Sequence, residues 1–216
     1  MSVTVGEIED VEKKVMEIHS DIEKASERIC NIIDSMILNH EKLVLFEING
    51  IGNLKYKHCM TQVHVALSLL KRFKEKNGKV RITSREPNHN DVEKEYLENK
   101  RIKVREVCFT AEDYLKATED YLEASKGIQN SIYICYMLHG MPEMYEEYIA
   151  AHYNHINQIV FIGNEPKHIL DYLKASKNLK MIDEVLASTV PKPLDMTGTS
   201  IPKHAFSATF IYRSNI

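Results

Sequence analysis

The N-terminal part of the chain carries a helical pattern of apolar and charged residues. Over residues 11–39 the apolar positions recur every three to four residues, which predicts one long amphipathic helix. Its apolar stripe has two interpretations. We favour packing against the chain's own domain, because helices usually bury such a stripe in cis. The alternative is contact with another chain, or a homo-oligomer formed through this helix.

Short apolar runs alternate with helical segments through the rest of the chain. The runs are residues 43–48, 79–83, 102–107, 132–137 and 158–162, and a last short strand is expected at residues 208–212. This alternation predicts an α/β, three-layer, Rossmann-like fold: a mostly parallel sheet of about five to six strands with helices on both faces. We divide the chain into an N-terminal helical extension, residues 1–40, and an α/β domain, residues 41–216.

The helical segments between the runs have recognisable starts and ends. They are predicted at residues 61–73, 90–99 and 111–125, with one more opened by Pro142 and a last one from Pro166 to about residue 177. Beyond that point the pattern loosens through three prolines, and we expect residues 190–204 to fold over the domain as a tail.

Composition and charge narrow the function classes. The 216 residues, 44% hydrophobic and 27% charged, suit one self-sufficient globular core. Lys and Arg number 28 against 31 Asp and Glu, so a net charge of −3 provides no basic field for nucleic acid. The N-terminus lacks a signal-peptide pattern, no stretch has the apolar length of a membrane span, and the four cysteines are dispersed. We therefore expect a cytoplasmic or nuclear protein with no membrane partner.

In parallel sheets, ligands bind beyond the carboxyl ends of the strands, which selects the loops at residues 49–54, 138–141 and 163–165. In the first, Gly50, Gly52 and Asn53 either let backbone amides approach an anion or form a tight turn. The third glycine of GxGxxG is missing, so the nucleotide fingerprint is weak. Glu86 is either a cofactor-binding residue that holds a ribose hydroxyl or part of a surface turn.

The other two loops supply an imidazole and an amide. His139 follows the most apolar strand and is either a general base, a metal or haem ligand or a hydrogen-bond donor, or a loop histidine bonded to backbone. Gly163 and Asn164 end the next strand, where the asparagine either offers its amide to the same crevice or tolerates left-handed turn geometry. The ten histidines form no closed set of four ligands at zinc-like spacing, so no metal site is predicted.

Several motifs at these loops occur in a fixed order. They are residues 46–53 (FEINGIGN), Gln62, Glu86-Pro87, residues 136–139 (YMLH), residues 162–164 (IGN) and residues 204–207 (HAFS). Taken together, they resemble the SRR-type domain, named for the plant protein "sensitivity to red light reduced". The resemblance runs from about residue 43 to residue 212 and leaves the predicted first helix outside.

The resemblance implies a eukaryotic regulatory protein, linked in plants to light signalling and circadian rhythm, in yeast to microtubule-related phenotypes, and in animals to haem biosynthesis and clock regulation. It does not supply an established reaction. Two positions depart from the family pattern: Gly140 stands where a cysteine usually follows the histidine, and Glu165 stands where a serine follows Gly-Asn. If the family's His-Cys pair binds haem or a metal, this chain lacks the thiolate, and Glu165 would repel a phosphate.

Three hypotheses follow. The leading one is a non-enzymatic regulatory module that binds a small ligand, haem among the candidates, or a partner segment. Its ligand-binding crevice is formed by Gly50, Gly52, Asn53, His139, Gly163 and Asn164. The second is an enzyme that places a nucleotide or S-adenosylmethionine on the Gly50 loop and uses His139 as a catalytic base. The third is an interaction scaffold that acts through the N-terminal helix. None of them identifies a cofactor.

Overall fold

A computed structural model describes residues 3–105 and 110–216 of the chain. The end of the strand predicted at residues 102–107 and Cys108 lie outside the described residues.

The described chain alternates helices and strands as the sequence pattern predicts. The helices are α1 (Val5–Met16), α2 (His19–Asp34), α3 (Lys57–Asn77), α4 (Asp91–Asn99), α5 (Ala111–Ser125), α6 (Pro142–His152), α7 (Pro166–Tyr172) and α8 (Leu179–Ala187). The strands are β1 (Lys42–Asn49), β2 (Arg81–Arg85), β3 (Lys103–Arg105), β4 (Ser131–Met137), β5 (Ile159–Asn164), β6 (Lys192–Pro193) and β7 (Thr209–Arg213). Two short 3-10 helices span Tyr153–Gln158 and Lys203–Ala205.

The strands form one sheet in the order β3-β2-β1-β4-β5-β7-β6. β1 to β5 pair in parallel, whereas β7 is antiparallel to β5 and β6 is antiparallel to β7. The predicted α/β fold with a mostly parallel sheet is therefore confirmed, and the order of the five parallel strands is consistent with a Rossmann-like fold. The predicted count of about five to six strands was too low, because the sheet has seven. The missed strand, β6, is only two residues long and contains no apolar run that could reveal it.

Helices cover both faces of the sheet. On one face, α1 to α4 pack on side chains such as Phe46, Ile134 and Tyr136. On the other face, α5 to α8 pack on side chains such as Leu45 and Phe161. Because the central strands are covered on both sides, they are apolar at nearly every position rather than at every second one.

The prediction of one long N-terminal helix was wrong: α1 and α2 are separate helices. The helical pattern continues across the break, which lies between Met16 and His19 and therefore leaves no signal in the periodicity. The apolar stripe is buried in the chain's own core through Ile22, Ile29 and Ile33. Packing in cis, the interpretation we favoured for the stripe, is therefore confirmed. The boundary at residue 40 between extension and domain stays a prediction.

The C-terminal part contains one helix that the sequence pattern did not predict. α7 ends at Tyr172, short of residue 177, and α8 follows. The nine residues of α8 form little more than two turns, and its burial comes from the side chains Ile182, Val185 and Leu186 in the second core. The segment at residues 190–204 lies over the domain, because Leu194 and Ile201 are buried in the first core and Arg28 of α2 donates to the carbonyl of Asp195 over 2.9 Å. Among the described residues, no helix is long and apolar enough to cross a membrane.

The burial of α2 leads to a stability prediction. Ile29 is fully buried between α2 and the sheet, so Ile29→Ala should lower the free energy of unfolding by about 2–5 kcal/mol, through lost apolar contact and a residual cavity. The exposed Leu38 serves as the control, and Leu38→Ala should change this free energy by less than about 0.5 kcal/mol. Urea denaturation measures both values, and equal losses would contradict packing of α2 in cis.

Candidate functional site

The strand order reverses between β1 and β4, where the sequence predicts a crevice. The chain leaves β1 for β2 through α3 on one face, and leaves β4 for β5 through α6 on the other. The two connections diverge, so β1 and β4 flank the point at which the strand order reverses, where α/β sheets usually bind ligands.

The loop after β1 has the tight geometry that its glycines permit. Gly50 and Gly52 both have positive φ, +66° and +77°, a region that favours glycine. A Cβ on Gly52 would also lie 3.2 Å from the Sγ of Cys59. The side chain of Asn53 accepts a hydrogen bond from the amide of Lys55, so it shapes the turn.

The amides of this loop are held by carboxylates from the segment after β2. Gly52 N donates to Glu86 over 3.0 Å, and Leu54 N donates to Glu93 over 2.8 Å. The imidazole of His89 contacts the carbonyl of Gly52 at 2.7 Å. The glycine loop is therefore closed by the protein's own side chains, and an anion at the Gly52 amide would have to displace a carboxylate. The cofactor-binding role of Glu86 stays a prediction.

A buried thiol lies beneath the same loop. Burial and, to a smaller extent, the neighbouring carboxylate of Glu86 together raise the pKa of Cys59 to about 12. The group is therefore a thiol at neutral pH and lacks the thiolate that a nucleophile requires.

A tyrosine clamp joins the carboxyl ends of β4 and β5. The hydroxyl of Tyr145 donates to the carbonyl of Met137 over 2.5 Å and accepts from the amide of Asn164 over 2.8 Å. A Cβ on Gly163 would lie 2.1 Å from that hydroxyl. Position 163 is therefore glycine because the clamp occupies the space of a side chain, and its predicted ligand contact remains untested.

Next to the clamp is a cleft of about 330 Å³, which we call the His139 cleft. Its lining residues are His139, Asn164, Glu165, His168, Ser207 and Ala208. His139 lies at its mouth with a positive φ of 56°. Its Nε2 is 2.8 Å from the carbonyl oxygen of His204. Because a carbonyl only accepts hydrogen bonds, Nε2 carries the proton in this contact.

The structure brings some of the predicted residues together and keeps others apart. His139 and Asn164 line one cleft, and the Asn164 amide donates to the carbonyl of Gly140 over 2.7 Å. Gly50, Gly52 and Asn53 belong to the loop after β1 and are not among the residues that line this cleft. His58, in the first turn of α3, has a pKa that is lowered by burial and then by the imidazoles of His139 and His204.

Sequence reasoning did not select His168 or Ser207 as site residues. A signal existed for both: His168 stands three residues after Glu165, at the start of a helix opened by Pro166, and such spacing places two side chains on one face. Ser207 closes the HAFS motif, which returns to the cleft only through the tertiary fold.

Gly140, where the family pattern has a cysteine, lies against the side chain of Met137. A Cβ at this position would lie 2.6 Å from Cγ and 2.9 Å from Sδ of Met137. A cysteine at residue 140 would therefore require the flexible end of the Met137 side chain to move.

Behind the site, on the face covered by α5 and α6, lies a buried charged group that the sequence reasoning missed. Glu47 is fully buried in β1, and its carboxylate lies 3.5 Å from the guanidinium of Arg85 in β2. The hydroxyl of Tyr148 in α6 donates to the same carboxylate over 2.7 Å. A charge within the apolar run LVLFEIN was the available signal, because a buried carboxylate requires partners.

These features define a class: a three-layer α/β domain whose five parallel strands follow the Rossmann order 3-2-1-4-5, with a polar cleft at the ends of two of them. The sequence model of one family, described as the SRR1 domain, matches residues 13–213 of the chain. The chain belongs to this SRR1 domain family. The match begins inside α1, so it extends further toward the N-terminus than residue 43, where we placed the start of the resemblance. Comparisons with curated proteins and with solved structures found no match.

The tyrosine clamp generates a test by paired substitutions. Gly163→Ala should destabilise the fold by about 1–3 kcal/mol or more, because the new methyl group overlaps the Tyr145 hydroxyl. Adding Tyr145→Phe should recover part of that loss. Gly6→Ala is the control, since no atom lies within 4 Å of its Cβ position and alanine favours a helix. Chemical denaturation provides the values, and additive effects of the two substitutions would contradict the clamp.

Buried His152 generates a pH prediction. Burial lowers its pKa from 6.5 to about 4, and its Nδ1 donates to the carbonyl of Tyr148 over 2.8 Å. Below pH 6.5 the unfolded chain therefore binds a proton that the folded chain does not take up until about pH 4. The free energy of unfolding should decrease by roughly 2 kcal/mol for this group between about pH 7.5 and about pH 5.

The measurement is chemical denaturation across that pH range. His152→Asn keeps a donor for the Tyr148 carbonyl and should flatten the pH dependence. A smaller dependence of the free energy of unfolding on pH should remain in this variant, because burial also lowers the pKa values of His58 and His64. The exposed His40 provides the control variant His40→Asn, which should behave as the wild type. An unchanged slope in His152→Asn would contradict the assignment.

Proposed function

We propose that this SRR1 domain protein is a non-enzymatic regulatory module that binds a small polar ligand or a partner segment in the His139 cleft. One observation carries the proposal. Polar side chains from β4, β5, α7 and the C-terminal segment, far apart in sequence, converge on one cleft of about 330 Å³. Concave sites with a few convergent polar groups are typical of ligand binding.

The lining groups favour a particular chemistry. Glu165 contributes a carboxylate and Asn164 a carboxamide at the end of β5, while His139 offers an imidazole whose Nε2 proton is already used. A ligand with N–H donors, such as an amine, an amide or a guanidinium, is complementary to this set. A phosphate would face the charge of Glu165.

Haem, a candidate from the family resemblance, fits the lining less well. A haem macrocycle requires extended apolar walls in addition to an axial ligand. Ala208 is the one apolar side chain among the described residues that line the cleft. Gly140 also replaces the cysteine that would provide a thiolate. The observation therefore supports a small polar ligand or a partner segment.

The other hypotheses have weaker support. A nucleotide or S-adenosylmethionine on the Gly50 loop would compete with Glu86 for the amide of Gly52. A scaffold acting through the N-terminal helices would require an apolar stripe that is buried in the chain's own core. A role in haem biosynthesis or circadian timing, in the cytoplasm or nucleus, is part of the proposal and is supported by family membership alone.

A ligand screen tests the proposal. The panel comprises haem, nucleotides, S-adenosylmethionine, polyamines and arginine-containing peptides, and thermal denaturation is the readout. A ligand of the cleft should stabilise the wild type by about 2.7 kcal/mol at a hundredfold excess over its dissociation constant. His139→Asn should abolish the shift, since asparagine tolerates the positive φ at this position but lacks the imidazole.

His40→Asn, on an exposed turn, is the matched control and should keep the full shift. An equal shift in His139→Asn would place the ligand outside the cleft. Turnover of any panel compound that disappears in His139→Asn would contradict the non-enzymatic part of the proposal.

A further inference from the structure

A second cleft, which we call the basic cleft, lies at the edge of the sheet formed by β2 and β3. It has a volume of about 230 Å³ and shares no lining residue with the His139 cleft. Its lining residues are Leu45, Lys74, Val80, Arg81, Ile82, Thr83, Arg101, Lys103 and Arg105. Five of the nine side chains are cationic, and none of these lining residues is acidic.

Three of the five cations of the basic cleft lack an ion-pair partner among the described residues. Arg81 forms an ion pair of 3.3 Å with Glu123 of α5, and both side chains are solvent-accessible. Within the described parts of the chain, Lys74, Arg101 and Lys103 form no ion pair. Like charges held around one concavity repel each other and raise the local potential. A bound anion would relieve that repulsion.

A buried hydroxyl lies in the same cleft. The side chain of Thr83 is 3% exposed, and its Oγ1 has no hydrogen-bond partner in the described structure. Buried polar atoms in folded proteins are rarely left unpaired, because the loss of water must be compensated. The hydroxyl is therefore suited to donate to a ligand oxygen.

The backbone also supports a role for Arg101. This residue follows α4 with a φ of +63°, and the amides of Arg101 and Ile102 bond the carbonyls of Glu98 and Leu97. Glycine is the usual residue at such a helix end, and other side chains adopt the conformation at a cost. The strained turn places an arginine on the rim of the basic cleft.

We propose that the basic cleft binds a small, multiply charged, phosphate-bearing molecule. Guanidinium groups match phosphate oxygens in pairs, lysines add point charges, and the Thr83 hydroxyl supplies a neutral donor. The cleft is smaller than the roughly 300–1,000 Å³ typical of sites for drug-sized ligands. It therefore suits a compact phosphate ester or polyphosphate better than a dinucleotide.

The experiment is isothermal titration of the full-length protein with inorganic phosphate, pyrophosphate and tripolyphosphate, and with sulfate as the comparison anion, at matched ionic strength. Tripolyphosphate should bind most tightly and sulfate most weakly. Raising the salt concentration should weaken binding, since the cations are partly exposed.

Two variants and one control locate the binding. Lys74→Gln combined with Lys103→Gln should weaken tripolyphosphate binding by about tenfold or more, since hydrogen bonds to charged groups are lost. Lys13→Gln combined with Lys14→Gln, at two exposed positions of α1, removes the same charge elsewhere. This control should change the affinity less than about twofold.

Thr83→Val keeps the shape of the side chain but removes the unpaired hydroxyl. It should raise the melting temperature of the free protein and weaken tripolyphosphate binding by about fivefold or more. A merely structural threonine would not produce these opposite effects.

Any of three results would overturn the proposal: no measurable binding of the soluble phosphate probes, equal losses in the cleft and control variants, or equal affinity for sulfate and tripolyphosphate. Binding to phosphoinositide-containing vesicles but to none of the soluble probes would also overturn it, because it would assign the charge to a membrane surface.

Discussion

The architecture around the site depends on one buried ion pair. Glu47 has no exposed surface, and a carboxylate in such a position is stable only with a charged or hydrogen-bonding partner. Arg85 supplies the charge and Tyr148 supplies a hydroxyl, so the group ties together β1, β2 and α6. In the observed pairing Asn49 faces Arg85 and Glu47 faces Thr83. A one-residue slip of β1 against β2 would turn one of the two charged side chains to the opposite face of the sheet and separate the charges.

The same pair positions the loops that follow it. β1 ends two residues after Glu47 and leads into the Gly50 turn, and Arg85 is followed directly by Glu86, which holds the amide of Gly52. On the other side of the strand reversal, Tyr145 performs the equivalent task for β4 and β5. Each half of the crevice is thus fixed by hydrogen bonds from the protein's own side chains.

Net charge conceals the distribution of charge on this molecule. The sum of −3 argues against a polyanion-binding surface, yet cations from α3, β2, β3 and the end of α4 converge at one sheet edge. The carboxylate of Glu165 lies in the cleft at the ends of β4 and β5. The net charge cannot reveal this separation of cations from anions. The separation depends on which residues the fold brings within a Debye length of each other.

Local pattern was sufficient for much of the fold. Short apolar runs identified the five parallel strands and also β7. The strand-end rule placed His139 and Asn164 in one crevice. It was insufficient where structure has no local signature: the break between α1 and α2, the two-residue β6, and the short α8 are determined by contacts distant in sequence. Local signals existed for His168, Ser207 and Glu47, but the partners that these side chains meet depend on contacts distant in sequence. The sequence by itself determined the layers, the strand ends and the family, because periodicity and motif order are properties of neighbouring residues. Only the tertiary structure decided which polar groups share a cleft and which loop amides are already occupied, because those relations depend on distances in space between residues far apart along the chain.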